Sequence, residues 1–267
     1  MPRFWKHLLL FGLGAACCVL GYLFLLNLPA ISRQSSTAGI IPSFALALGA
    51  VVLTIWALRA DHVRAAALGL SPVQPRVGLF GLGFVAGTVL PLGWCLAVAI
   101  TTGGRWHLNP AFSPTVLLGA IGFVFFNNLA EELVYRGYAF ERLVTRYGTR
   151  VAVLSTSALF ALLHWQSGIP LSSVLAGVFT SALVFAAVFA RWRSLPLTLG
   201  VHVAMNVIQD ASGLRPGAGS IFTVVYPSTR SPTEAPLLAV GLLNLVVAGV
   251  VLVYGQRMAA FKRENTE

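Results

Sequence analysis

The chain has 267 residues, of which 57% are hydrophobic and 10% charged, and its mean hydropathy is +0.82. A soluble domain carries about 25% charged residues, so this composition excludes a surface built for water and points to the bilayer as solvent. The net charge of +10 does not indicate nucleic acid, because the basic residues lie between apolar runs and not in one patch; they read as topology signals and as contacts for anionic lipid headgroups.

Eight apolar runs follow one another, at about 8–28, 40–58, 78–101, 115–135, 151–166, 171–190, 195–211 and 236–255. A helical span needs roughly 20 such residues, and the fifth and seventh runs are short. The first run follows Arg3 and Lys6. It exceeds the 7–15 residues of a signal-peptide core and no A-x-A site follows it, so an uncleaved first span is predicted. Cys17 and Cys18 fall in this run and Cys95 in the third, without a CxxC spacing. They read as packing or lipid-facing residues. Turn chemistry separates the runs: Pro29 with Ser35 and Ser36, Ser71-Pro72 with Pro75, Gly103-Gly104 with Asn109-Pro110, Gly168 with Pro170, and Pro216-Gly217. The stretch 212–235 is the longest outer loop and reads as an irregular lid.

With the N-terminus inside, fourteen of the eighteen basic residues fall in cytoplasmic segments and four, Arg33, Arg105, Arg215 and Arg230, in outer loops. The sequence therefore predicts an all-α, polytopic bundle of about eight transmembrane helices with both termini cytoplasmic, in the plasma membrane. It is one structural domain with three stretches: N-terminal spans over 1–114, a core over 115–211, and the loop, last span and tail over 212–267.

Only eight residues are acidic, and two of them, Glu131 and Glu132, are adjacent at the end of an apolar run. A charge at mid-bilayer costs roughly 2.5–3.5 kcal/mol on insertion scales, so such residues face the bundle interior. Adjacent residues on a helix point about 100° apart. Glu132 and Arg136 are i,i+4 and share a face with Asn128, whereas Glu131 lies on another face with Asn127. Glu132 thus has a built-in cation and Glu131 does not. An unpaired carboxylate in an apolar site suits a general acid or base. The same residues also suit a structural ion network at a helix end.

Of the five histidines, His7, His62 and His107 fall in loops or at ends, and His164 and His202 fall inside runs. A lone intramembrane histidine is usually a packed residue. Two of them with a spare carboxylate match a known catalytic zinc set. His202 and Asn206 are i,i+4, and Asn206 can hold a water, a carbonyl or an oxyanion, or make an interhelical hydrogen bond. Depth sets a condition. If the fourth helix ended at Arg136, Glu131 would lie about 7 Å from its inner end, against about 21 Å for His164 and about 16 Å for His202. Continuation to about Tyr147 puts Glu131 about 24 Å deep, and the three groups can meet.

Glu131-Glu132-Leu-Val-Tyr-Arg136-Gly137 resembles the EExxxR(G) motif of the CAAX protease and bacteriocin-processing (CPBP, or Abi) family. Phe160-Ala-Leu-Leu-His164 resembles its FxxxH motif, and His202-Val-Ala-Met-Asn206 its HxxxN motif. The three occur in the family's order, each on its own run. The resemblance implies an intramembrane metal-dependent endopeptidase acting on a protein or peptide substrate, near its C-terminus in CAAX-type processing. It implies that Glu131 activates the hydrolytic water, that His164 and His202, with Glu131, bind a Zn²⁺ ion, that Asn206 stabilises the oxyanion, and that Glu132 and Arg136 support the site. A water activated by Glu131 without metal stays open, since no HExxH helix is present. Two non-peptidase readings also stand: a non-catalytic self-immunity or partner-binding protein, and a proton-coupled transporter, for which no internal repeat is found.

Overall fold

A computed structural model describes residues 3–28, 39–70, 75–227 and 235–264, the last eleven by backbone alone. The turn residues at 29–38 and 71–74 and the loop residues 228–234 lie outside the described residues. All eight apolar runs form helices. They are α1 (Arg3–Leu26), α2 (Ile40–Ala60), α3 (Arg76–Gly87) continued by α4 (Val89–Thr102), α5 (Pro114–Glu132) continued by α6 (Tyr138–Tyr147), α7 (Thr149–Gln166), α8 (Thr180–Trp192), α9 (Leu195–Ser212) and α10 (Ala235–Glu264).

Among the described residues, six helical stretches are long and apolar enough to cross a membrane: 4–26, 40–60, 76–102, 114–147, 171–192 and 235–253. The other two, α7 and α9, are 18 residues each and carry His164, His202 and Asn206. Large apolar side chains such as Leu13, Leu20, Phe24, Leu48, Val52, Leu118 and Leu242 stand exposed around the bundle. In water such a surface would aggregate; against acyl chains it is matched.

The core is built around α8 and α9. Ala182 to Phe189 on α8 are buried, as are most residues from Leu195 to Val207 on α9. Around them α7, α10 and α3 pack on this pair, α5 packs on α9, α2 on α5, and α1 on α2. The α3–α9 crossing is a close one. Gly83 and Gly87 form a small-xxx-small pair, and a Cβ on Gly83 would stand 2.1 Å from the Leu197 carbonyl oxygen. From the other side, a Cβ on Gly200 would meet the Phe80 carbonyl oxygen at 2.2 Å. Gly200→Ala is therefore expected to destabilise the bundle by about 1–3 kcal/mol through overpacking. Thermal unfolding in detergent checks this against Gly12→Ala, whose added Cβ has nothing within 4 Å.

Both helices that bracket the site start from sequence signals. Ser113 caps α5 and Ser194 caps α9, each accepting a backbone N–H, with Pro in the first turn. At the other end of α9, Gly213 takes φ +78°, and a Cβ there would lie 2.2 Å from the Phe222 carbonyl oxygen.

The two ends of the bundle differ in chemistry. At one end the Asp61 carboxylate accepts from Tyr138 Oη at 2.7 Å and pairs with Arg142 Nε at 3.0 Å and with His7 Nδ1. Burial pushes the Asp61 carboxyl up, but the hydrogen bonds from Tyr138 and His7 and the charge of Arg142 outweigh it and hold the carboxyl below its ordinary value. Arg193 pairs with Glu141 beside this group. These residues come from segments that the charge pattern puts on one side.

The opposite end carries a feature the helical pattern does not predict. Arg105–Leu108 (β1) pairs antiparallel with Phe222–Val225 (β2), so the expected all-α bundle bears a two-stranded sheet. Within the 212–235 stretch, Phe222–Val225 are thus ordered by strand pairing, and the described residues before them form turns and bends.

Candidate active site

The helix that carries both glutamates runs on to Tyr147, as convergence requires: 114–147 is one continuous helical stretch. It is not straight. Leu133–Gly137 form a π turn, and Gly137 has ψ −128°, outside the helical region. A depth counted at 1.5 Å per residue does not hold across such a turn. The π turn falls inside the EExxxR(G) segment, where such turns often mark functional sites.

The two glutamates separate as their helical faces dictate. Glu132 is fully buried, and its Oε1 accepts from Arg136 Nη1 at 3.0 Å. Arg136 is fully buried as well, and its Nη2 donates to the Ala182 carbonyl oxygen at 3.1 Å. Its guanidinium lies 5.1 Å from the Phe160 ring centre, 5.3 Å from Phe185 and 5.7 Å from Tyr135. Three aromatic faces and two acceptors thus replace the water this cation loses. Glu131 is partly exposed; its Oε1 accepts from Asn127 Nδ2 at 2.8 Å, and no arginine or lysine is paired with it among the described residues.

Helix α9 runs antiparallel to α5 and meets it in two rungs. His202 Nδ1 is 2.8 Å from Glu132 Oε1, and one turn away Asn206 Nδ2 donates to Asn128 Oδ1 at 3.1 Å. The spacing of four on each helix puts both rungs on one face. A carboxylate against Nδ1 holds a proton there, which leaves Nε2 as the ring nitrogen that faces the site. That Nε2 lies 3.6 Å from Glu131 Oε2. This is too long for a direct hydrogen bond, and a water seated beside the two atoms can reach both. Phe185 stacks on His202 with ring centres 4.0 Å apart and holds the ring plane.

His164 sits at the margin. Its Nδ1 donates to the Phe160 carbonyl oxygen at 2.8 Å, which leaves Nε2 as its free lone pair. Phe160 stands between the two histidines, with its ring centre 4.3 Å from that of His164 and 6.0 Å from that of His202. Of the predicted set, Glu131, Glu132, Arg136, His202 and Asn206 are therefore brought together directly, and His164 joins through Phe160.

The donor chemistry suits zinc, since both histidines engage Nδ1 and keep Nε2 free. Among the described residues no group of three or more His, Cys, Asp or Glu is gathered closely enough to hold a metal ion.

Sequence reasoning missed the links that depend on tertiary register. They are the His202–Glu132 contact, the Ala182 carbonyl under Arg136, the Phe185 stack, and an arginine, Arg215, whose Nη2 donates to the Asn206 carbonyl oxygen at 2.8 Å. Only Arg215 carried a signal, as one of the few basic residues in the outer loops.

The fold and the polar centre define a multi-pass α-helical membrane protein with a carboxylate–histidine–amide site enclosed among its helices. Residues 112–208 match the family model of the type II CAAX prenyl endopeptidase Rce1-like proteins. The match runs from the start of α5 into α9 and contains all three motifs, in agreement with the resemblance read from them. Comparison with curated proteins found no match.

Proposed function

We propose that this protein is an intramembrane endopeptidase that hydrolyses a peptide bond of a protein or peptide substrate, near its C-terminus in the manner of CAAX processing, with Glu131 as the base. The observation that carries this reading is the division of labour between adjacent carboxylates. Arg136 and His202 occupy Glu132, and Glu131 faces the His202 Nε2 with no arginine or lysine on it among the described residues.

In this reaction a water beside Glu131 and His202 gives its proton to Glu131 as its oxygen bonds to the scissile carbonyl carbon. The carbonyl π electrons move to oxygen, and an Asn206 N–H holds the resulting oxyanion. Collapse of the tetrahedral intermediate re-forms the C=O bond and breaks the C–N bond, and Glu131 returns the proton to the leaving nitrogen. Exclusion of bulk water by the surrounding helices strengthens each of these polar contacts.

The direct test is comparative proteomics of membranes holding the wild-type or the Glu131→Ala protein. The wild type is expected to generate shortened C-termini that the variant does not; identical C-termini in both would count against the assignment. Metal dependence is separable. If His164, His202 and Glu131 bind zinc, the wild type carries about one zinc per chain and the His164→Ala/His202→Ala variant loses it. Equal metal content in the two by elemental analysis rejects zinc and leaves the carboxylate-activated water.

A further inference from the structure

Arg215 lies beyond the segment that matches the family and outside all three motifs. The loop that carries it is fastened at several points. Trp106 Nε1 donates to the Ser212 carbonyl oxygen at 2.9 Å, Asn109 Nδ2 to those of Gly217 at 3.1 Å and Ser220 at 2.9 Å, and Ser113 N–H to that of Ala218 at 2.8 Å. The Arg215 carbonyl accepts from Ser220 Oγ at 3.0 Å. The side chain then folds back onto the end of α9. Its Nε pairs with Asp210 Oδ1 at 2.9 Å, and its Nη2 donates to the Asn206 carbonyl oxygen at 2.8 Å and to Asn206 Oδ1 at 3.2 Å.

A guanidinium only donates hydrogen bonds. Asn206 must therefore turn its oxygen to Arg215 and its NH₂ away from it. That NH₂ meets Asn128 Oδ1 at 3.1 Å, so Asn128 in turn presents its own NH₂ as the free end. Asn128 is 1% exposed, and its Nδ2 has no partner among the described residues. An unfilled donor in such a place costs about 1–3 kcal/mol unless something accepts from it. The chain guanidinium→amide→amide thus runs in one direction and ends in N–H groups beside the two glutamates.

Building on the endopeptidase reading above, we propose that Arg215 is a positioning residue that fixes the direction of both amides, so that Asn206, braced by Asn128, offers a hydrogen-bond donor, and not its oxygen, to the substrate carbonyl. Without Arg215 nothing distinguishes the two amide orientations of Asn206. The flipped form points an oxygen at the developing oxyanion and repels it. Loss of one oxyanion donor costs about 10²–10³ in kcat, and a mixture of orientations is expected to cost roughly tenfold to hundredfold.

The test uses the full chain in nanodiscs with a farnesylated, internally quenched peptide ending in a cysteine–aliphatic–aliphatic–X sequence. Arg215→Lys keeps a donor with no acceptor, Arg215→Ala removes the donor, and Arg215→Glu supplies an acceptor. The expected order of kcat is wild type, Lys, Ala, Glu, with KM unchanged. Wild-type kcat in Arg215→Ala, or equal losses in all three variants together with lowered melting temperatures, would overturn the inference. Glu131→Ala is assayed alongside. Failure of the wild type to cleave, or cleavage by Glu131→Ala, removes the endopeptidase reading instead. The amide orientation is then decided without activity, by NMR of protein labelled with ¹⁵N-asparagine. Arg215→Ala is expected to shift the side-chain NH₂ signals of Asn206 and Asn128, assigned through Asn206→Asp and Asn128→Asp. The signal of Asn244, bonded to Thr180 Oγ1 at 2.9 Å, stays in place. Unmoved Asn206 and Asn128 signals overturn the proposal.

Discussion

Glu131→Ala is expected to lower peptide cleavage by about 10²–10⁴-fold or more while the protein still inserts, folds and melts close to wild type. Each half of this expectation has its own cause. The kinetic half follows because Glu131, unlike Glu132, has no paired guanidinium among the described residues, and it is the one that faces His202 Nε2, at 3.6 Å. The structural half follows because Glu131 is partly exposed and holds one hydrogen bond, from Asn127 Nδ2. Losing it costs about 1 kcal/mol. Glu131→Gln is the sharper variant, since it keeps the size and an acceptor for Asn127 but has no carboxylate to take a proton. Both variants should be equally inactive. Activity in Glu131→Gln close to wild type would show that the side chain positions the water without accepting its proton. Activity in purified Glu131→Ala would remove Glu131 from the chemistry altogether.

The sequence made the site legible to the extent that its contacts are local. Pairs four residues apart on one helix hold as read: Glu132 with Arg136, and Asn127 with Glu131. So does the shared face of His202 and Asn206, which becomes two rungs against α5. The partner across each rung was not legible, because it depends on the register of α9 on α5, which joins residues 70 and 78 positions apart in the chain. The π turn was also invisible, since Leu133 to Gly137 have ordinary helical composition and only packing decides the wider turn. Strand pairing between 105–108 and 222–225 joins segments far apart in the chain, and neither stretch stands out among loop residues. The two runs that read as short form helices of 18 residues each, α9 buried along most of its length and α7 buried on one face, and they carry the site's His164, His202 and Asn206.

The largest expected loss of stability is at Arg136. Arg136→Met removes the cation and leaves Glu132 at zero exposure, with its Oε1 facing only His202 and its Oε2 without a partner among the described residues. Breaking a buried pair from one side costs about 3–5 kcal/mol, because the remaining charge has neither water nor partner. The lost packing on Phe160, Phe185 and Tyr135 adds to this, although Met fills part of the volume. A membrane protein of ordinary stability is then expected to be largely unfolded or degraded, and unfolding by denaturant in detergent measures the difference. A second change separates charge from shape. Glu132→Leu with Arg136→Met removes both charges, and buried pairs replaced by apolar residues are often neutral in stability. The double variant should recover most of the loss and still fail to cleave, since His202 Nδ1 has lost the carboxylate that fixed its proton and the plane of its ring. If Arg136→Met alone melted like the wild type, the pair would not be the support of the site. If the double variant cleaved like the wild type, Glu132 would have no part in orienting His202, and the orientation would rest on the Phe185 stack alone.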